Sequence, residues 1–192
     1  MVYRIIGVMI LAGFYFFYMA KIVVQSKKSI KTNQMGIGDK PKKVLIIEKT
    51  LSIATSLTVI VEVISIFAVN PNISDFVRIA GAVIGFFAVI IFALAVITMK
   101  DSWRAGIPEK KTNIITDGIY SISRNPAFFG FNMLYLSILL MFFNIPLLIC
   151  SVWAAVMLHL QILQEENWLT KTFGNEYKDY FTRVRRYLGR KK

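Results

Sequence analysis

Long apolar runs are the feature of this sequence that most limits what the chain can fold into. A helix needs about 20 predominantly apolar residues to cross a bilayer. Five stretches fall in or near that range: residues 2–24, 44–69, 76–99, 126–143 and 147–163. In a soluble domain, polar residues interrupt the apolar ones at the helical or strand period, and these runs are not interrupted in that way. They predict an all-α integral membrane protein with five transmembrane helices.

The length of the chain and the polar segments between its apolar runs indicate one membrane domain over residues 1–192. Residues 1–99 hold three N-terminal spans and a basic loop, and residues 100–192 hold a polar connector, a helical hairpin and a C-terminal tail. Asn144 and Pro146 separate the last two runs by a tight turn, and proline suits the first turn of a new helix. The single cysteine, Cys150, excludes an intramolecular disulfide framework.

The formal charge of +12 is distributed as membrane topology requires. Most Lys and Arg residues lie in residues 25–43, 100–124 and 165–192, whereas the linker 70–75 and the turn at Asn144 carry none. By the positive-inside rule, the basic segments are cytoplasmic and the N-terminus is outside. The same placement argues against nucleic acid as a partner.

Two polar clusters border the predicted hairpin. The first is the stretch 117–130, where Arg124 and Pro126 stand at the start of the fourth span; an interfacial anchor and a helix start would also explain it. In the second, Gln161 and Glu165 share one helix face. Adjacent carboxylates beside apolar surface need partners or a ligand. We expect Glu166 to reach water at the interface and Glu165 to bind a ligand.

The tail contains a third cluster, residues 173–187. Gly174 can end one helix and Asn175 can begin the next. Beyond them, aromatic and aliphatic residues recur at helical spacing between basic ones: Tyr177, Tyr180, Phe181, Val184 and Tyr187. This stripe predicts a cytoplasmic amphipathic C-terminal helix, which alone would indicate a helix lying on an anionic membrane surface.

Together, these clusters resemble the isoprenylcysteine carboxyl methyltransferase and phospholipid methyltransferase superfamily. The resemblance covers about half of the chain, roughly residues 100–186. It rests on the order of five features: Asp117-Gly118-Ile119-Tyr120, Arg124-Asn125-Pro126-x-Phe128, the hairpin, Glu165-Glu166 and Phe173-Gly174-x-x-Tyr177.

The resemblance implies a methyltransferase that uses S-adenosylmethionine and methylates a lipid-like or other membrane-partitioned acceptor at the cytoplasmic face. It implies no metal. The implied cofactor-binding residues are Thr112, Asn113, Ile114, Ile115, Tyr120, Asn125, Pro126, Ala127, Phe128 and Glu165. The candidates for positioning are Arg124, Gln161 and Arg183, and an arginine such as Arg124, Arg183 or Arg186 would pair with the cofactor's carboxylate.

Three positions depart from the family pattern. Asn125 stands where the family has histidine, so a titrating base is not expected there. Phe128 replaces a tyrosine. Gln161 replaces the arginine that, in prenylcysteine enzymes, matches the acceptor's carboxylate, which weakens the case for a carboxylate acceptor.

Two other functions stay open from the sequence. One is a non-catalytic membrane scaffold or lipid-binding protein with the same fold, and the other is an NADPH-dependent reductase of the sterol type. Glu62, an ionisable residue inside the second span, is a separate functional candidate. Its expected partner is Arg4, because both lie toward the outer end of the bundle.

Overall fold

A computed structural model describes residues 1–109 and 111–191 of the chain. Within these residues it contains two short 3-10 turns, Lys100–Ser102 and Gly118–Ser121, and six α-helices. The helices are α1 (Val2–Lys27), α2 (Lys42–Ala68), α3 (Asp75–Thr98), α4 (Pro126–Met141), α5 (Ile145–Phe173) and α6 (Asn175–Arg183). The prediction of an all-α integral membrane fold is confirmed; of the five predicted transmembrane helices, four are long enough to span and the fifth is a shorter apolar helix.

Four of these helices, α1, α2, α3 and α5, are long and apolar enough to cross a membrane. α4 is apolar but has 16 residues. At 1.5 Å per residue it is about 24 Å long, shorter than the roughly 30 Å hydrocarbon core. α4 packs along α3, where Gly81 and Gly85 face Met141 and Ser137. A Cβ atom on Gly81 would lie 2.9 Å from the Ser137 carbonyl oxygen, so small residues permit this close approach.

The hairpin between α4 and α5 forms as the sequence predicts. The Asn144 side chain accepts a hydrogen bond from the Leu147 amide at 3.0 Å and caps α5, and Pro146 lies in the first turn. α5 then continues to Phe173, ten residues beyond the end of its apolar run. Gly174 adopts φ 56° and separates α5 from α6, as predicted.

The predicted amphipathic stripe is only partly correct. α6 ends at Arg183, so Tyr187 lies outside it. Tyr177, Tyr180 and Val184 are buried and pack against Ile114 and neighbouring residues of α5. The helix ends because Val184 has an extended backbone, and the chain then turns so that Val184 pairs with Arg190 in an antiparallel bridge. The apolar face of α6 therefore packs against the rest of the protein and is not presented to lipid.

The segments at one end of the bundle are tied together. We call this end the connector end; it carries residues 28–41, 99–109, 111–125 and 174–191. The Gln34 amide donates to the Ala105 carbonyl at 2.8 Å, and the Ala105 amide donates to the Thr32 carbonyl at 3.0 Å. Below them, the buried side chain of Gln25 donates to the Trp103 carbonyl at 3.0 Å. The basic loop and the connector thus form one ordered cap.

Candidate active site

A cavity of about 310 Å³ lies inside the bundle at the connector end. Its walls come from α1, α2, α4, α5 and the two segments of the cap, and most of its surface is apolar or aromatic. The aromatic residues in the wall are Tyr15, Tyr18, Trp103, Phe128 and Phe131. A concave, mainly apolar chamber with a few polar groups is typical of a small-molecule site.

Two side chains of α5 supply polar atoms to this cavity. Gln161 Nε2 donates to Glu165 Oε1 at 3.0 Å. In the described part of the chain, this is the one side-chain hydrogen bond to Glu165, and no Lys or Arg nitrogen lies within 4 Å of its carboxyl group. Gln161 Oε1 is buried and, among the described residues, has no hydrogen-bond donor. Both side chains therefore offer unused acceptor atoms to a ligand that carries N–H or O–H groups.

Arg104 brings a cation to the same cavity. Its Nη1 atom donates to the carbonyl groups of Asp101 and Trp103, both at 2.7 Å, which holds the guanidinium against the cap. The remaining nitrogens of the group can bind a carboxylate. Reasoning from the sequence had assigned this role to Arg124, Arg183 or Arg186 instead.

The neighbouring carboxylate, Glu166, has a different environment. It is 6% exposed and lies between two arginines. Arg124 Nη2 donates to its Oε1 at 2.9 Å, and Arg186 Nη2 donates to its Oε2 at 2.8 Å. The hydrogen bond to Glu166 raises the pKa of Arg186 above its ordinary value. The expectation that Glu166 reaches water is wrong, because the tail returns to cover it.

This cluster also involves two predicted site residues. Asn125 Nδ2 donates to Glu166 Oε1 at 3.1 Å, so its amide faces the ion pairs. Arg124 Nη1 donates to the Val184 carbonyl at 2.6 Å. These bonds join the start of α4, the end of α5 and the tail. Arg183, by contrast, is exposed on α6 and donates to the Asp179 carbonyl.

The other predicted cofactor-binding residues divide into three groups. Ala127 and Phe128 line the cavity together with Glu165, beside Pro126 at the buried start of α4. Tyr120 is buried under α6, where Tyr180 donates to its carbonyl at 2.7 Å, and burial raises the pKa of its phenol. The residues Thr112, Asn113, Ile114 and Ile115 lie outside the cavity wall in a segment without regular secondary structure, and Ile114 packs on the α6 cluster.

Sequence reasoning missed the contribution of α2, which it treated as topology alone. Ser52, Thr55 and Ser56 line the cavity. Their spacing places them on one side of a helix, and three hydroxyl side chains at that spacing inside an apolar run were a signal that could have been read.

A buried ion pair holds the cap beside the cavity. Lys40 Nζ lies 2.8 Å from Glu48 Oε2, and the Glu48 side chain is fully buried. Glu48 also accepts hydrogen bonds from the amides of Gly36 at 2.7 Å and Ile107 at 2.8 Å. The segments that contain these amides line one wall of the cavity. Glu48 therefore fixes that wall.

Glu62 is not paired with Arg4, and that prediction is wrong. Arg4 Nη2 donates to Asn70 Oδ1 at 2.9 Å, in the linker between α2 and α3. Glu62 is fully buried, and neither carboxyl oxygen has a hydrogen-bond partner in residues 1–109 and 111–191. Over the same residues, no group of three or more His, Cys, Asp or Glu side chains is arranged to hold a metal ion.

Comparisons with known proteins agree with the resemblance seen in the motifs. Residues 76–176 match the sequence profile of the family described as phospholipid methyltransferase. The chain is also similar to the protein-S-isoprenylcysteine O-methyltransferase of Dictyostelium discoideum, with 30% identity over 104 residues. That alignment covers 52% of this chain and 44% of the relative, so the chain matches less than half of the relative's length. The family match begins with α3 and ends in the first turn of α6, and it does not include α1 or α2.

Proposed function

Because the chain belongs to the phospholipid methyltransferase family, whose profile covers just over half of its length, we propose that it is an S-adenosylmethionine-dependent methyltransferase. The proposed acceptor is a lipid-like or other membrane-partitioned molecule. The observation that carries the proposal is the set of unused acceptor atoms of Glu165 and Gln161 in an aromatic cavity.

The groups in the cavity fit the proposed methyl donor. Glu165 and Gln161 would accept hydrogen bonds from its amino or ribose groups, and Arg104 would pair with its carboxylate. The aromatic faces of Tyr18, Trp103 and Phe131 suit a sulfonium cation, because aromatic rings attract cations.

The chemistry makes few demands on the protein. When bound, the sulfonium donor supplies an activated methyl group for an in-line displacement by a nucleophilic atom of the acceptor. The residues of the cavity would hold the two reactants in line and exclude water. This role requires neither a nucleophilic side chain nor a titrating histidine, so asparagine at position 125 is compatible with it.

The acceptor is proposed to be lipophilic because of the direction in which the cavity extends. From Glu165 it continues along α2, past Thr55 to Val59, into the apolar interior of the bundle. A chain-like molecule could lie there with its reactive end beside Glu165. Gln161 carries no positive charge, so it offers no ionic partner to a carboxylate acceptor.

The proposal also includes an orientation, with the connector end and the site at the cytoplasmic face and the N-terminus outside. It is supported by the distribution of charge, since the segments rich in Lys and Arg meet at the connector end. Basic segments are retained on the cytoplasmic side.

Binding of S-adenosylhomocysteine, the product form of the cofactor, tests the proposal. We expect the purified protein to bind it in calorimetry, and we expect Glu165→Ala to lower the affinity at least tenfold, because a carboxyl acceptor in the cavity wall is lost. Glu176→Gln, a change at an exposed position of α6, is the matched control and should bind normally.

Three results would contradict this assignment. Unchanged affinity in Glu165→Ala would remove Glu165 from the site. A thermal shift of the wild-type protein with NADPH and none with S-adenosylhomocysteine would favour the reductase, and no shift with either would favour a non-catalytic scaffold.

A further inference from the structure

Among the buried polar groups of the described residues that lack a hydrogen-bond partner, three come from neighbouring parts of α1, α2 and α4. They are the carboxyl group of Glu62 and the hydroxyl groups of Tyr15 and Tyr135; among the described residues, none has a hydrogen-bond partner. Glu62 lies within electrostatic range of both tyrosines. Burying a polar group without a hydrogen bond costs free energy. Buried polar groups that the protein itself leaves without partners are candidates to bind the polar atom of a ligand.

Glu62 and Tyr135 lie about one helical turn beyond the inner part of the cavity. On α2, Thr55 and Val59 line the cavity, and Glu62 continues the same face at i+7 and i+3. On α4, Phe128 and Phe131 line it, and Tyr135 continues their face at i+7 and i+4.

The side chain of Tyr15, on α1, belongs to both regions, since it lines the cavity and also lies near Glu62. Residues of α1, α2 and α4 therefore extend the cavity toward the same three polar groups.

The distance between the two ends of this path can be estimated along α2. Leu51 lies in the cavity wall together with Glu165. Glu62 is eleven residues further along, which corresponds to about 16 Å of helix axis. A ligand that spans both ends must be long and mainly apolar, with polar groups separated by about that length.

We propose that Glu62, Tyr15 and Tyr135 form a second subsite, which binds a hydroxyl group at the distal end of the lipophilic acceptor. This inference rests on the proposed function, because it takes the end beside Glu165 as the site of methyl transfer. A hydroxyl group can donate one hydrogen bond to the carboxylate of Glu62 and accept one from each tyrosine hydroxyl. An ammonium group would bring a second charge into the apolar interior at a larger desolvation cost.

Quenching of Trp103 fluorescence can test the subsite without the natural acceptor. Trp103 lines the outer part of the cavity, and bromine quenches tryptophan on contact. The background is the full chain with Trp153→Phe and Trp168→Phe, in detergent. The probes are 11-bromoundecan-1-ol, with bromine at one end and a hydroxyl group at the other, and 1-bromoundecane, which lacks the hydroxyl group.

We expect both probes to quench Trp103 saturably, with half-saturation at an about tenfold lower concentration for the alcohol. In Glu62→Leu the two probes should become equivalent to within about twofold. Partitioning into detergent is the same for both proteins, so the change in preference reports on the site. Glu62→Gln keeps hydrogen-bonding capacity and should retain most of the preference.

The result that would overturn the subsite is equal binding of the two probes, or a preference for the alcohol that Glu62→Leu leaves intact. Misfolding is controlled by the thermal midpoint. Replacing an unpartnered buried carboxyl group by an apolar side chain of similar size should leave the midpoint unchanged or raise it. If Glu62→Leu fails to fold, Tyr135→Phe provides the same comparison and should also reduce the preference.

S-adenosylhomocysteine separates failure of the subsite from failure of the proposed function. Glu62→Leu should bind it with wild-type affinity, because Glu62 is remote from Glu165. If wild-type protein binds the alcohol selectively but does not bind S-adenosylhomocysteine, the polar subsite stands and the methyltransferase proposal fails.

Discussion

Two regions of the molecule differ in the partners that they provide for carboxyl groups. At the connector end, Glu48 and Glu166 are ion-paired and accept several further hydrogen bonds. Along the cavity, Glu165 has one amide donor and Glu62 has no partner among the described residues. The fold does not need Glu165 and Glu62 to hold its segments together. We infer that the first pair stabilises the structure and the second pair serves ligands.

The largest effect on stability is expected from Glu48→Ala. Removing one member of a buried ion pair costs about 3–5 kcal/mol, here because Lys40 and two backbone amides lose their acceptor. For a chain of this size the thermal midpoint should fall by about 10 °C. The measurement is thermal unfolding in detergent, with Lys43→Ala, at an exposed position on the same helix, as the control. A shift in Glu48→Ala no larger than in the control would remove the distinction between the two regions.

The smaller effect is expected from Glu165→Leu. The variant leaves the buried Gln161 amide without its acceptor, so the free energy of unfolding should fall by about 1–3 kcal/mol, less than in Glu48→Ala. The same variant should lose binding of S-adenosylhomocysteine. A destabilisation comparable to that of Glu48→Ala would instead make Glu165 a structural residue, and the loss of binding would then reflect damage to the fold.

The sequence was informative where structure is determined locally. Five apolar runs gave five helices, Asn144 and Pro146 marked the hairpin, and Gly174 marked the break before α6. These features depend on propensity, capping and hydropathy within a few residues of chain. The motifs shared with the family also identified Ala127 and Glu165, which both line the cavity.

The sequence was less informative where partners come from distant segments. Glu166 is paired with Arg186 because the tail turns back after Val184. No local sequence pattern predicted this turn. Arg4 and Glu62 lie toward the same end of the bundle, but the helices are oriented so that Arg4 donates a hydrogen bond to Asn70 instead. The apolar composition of α2 does not distinguish lipid-facing from cavity-facing positions, so its hydroxyl residues were overlooked.

Transfer of a labelled methyl group tests the central claim most directly. Wild-type protein and Glu165→Ala would each be incubated with S-adenosylmethionine labelled in its methyl group and with total membrane lipid, and label in the organic extract would be counted. The account predicts that the wild-type protein puts label into a lipid-soluble product and that Glu165→Ala does not. Equal labelling by both proteins, or none by a wild-type protein that binds S-adenosylhomocysteine, would contradict it.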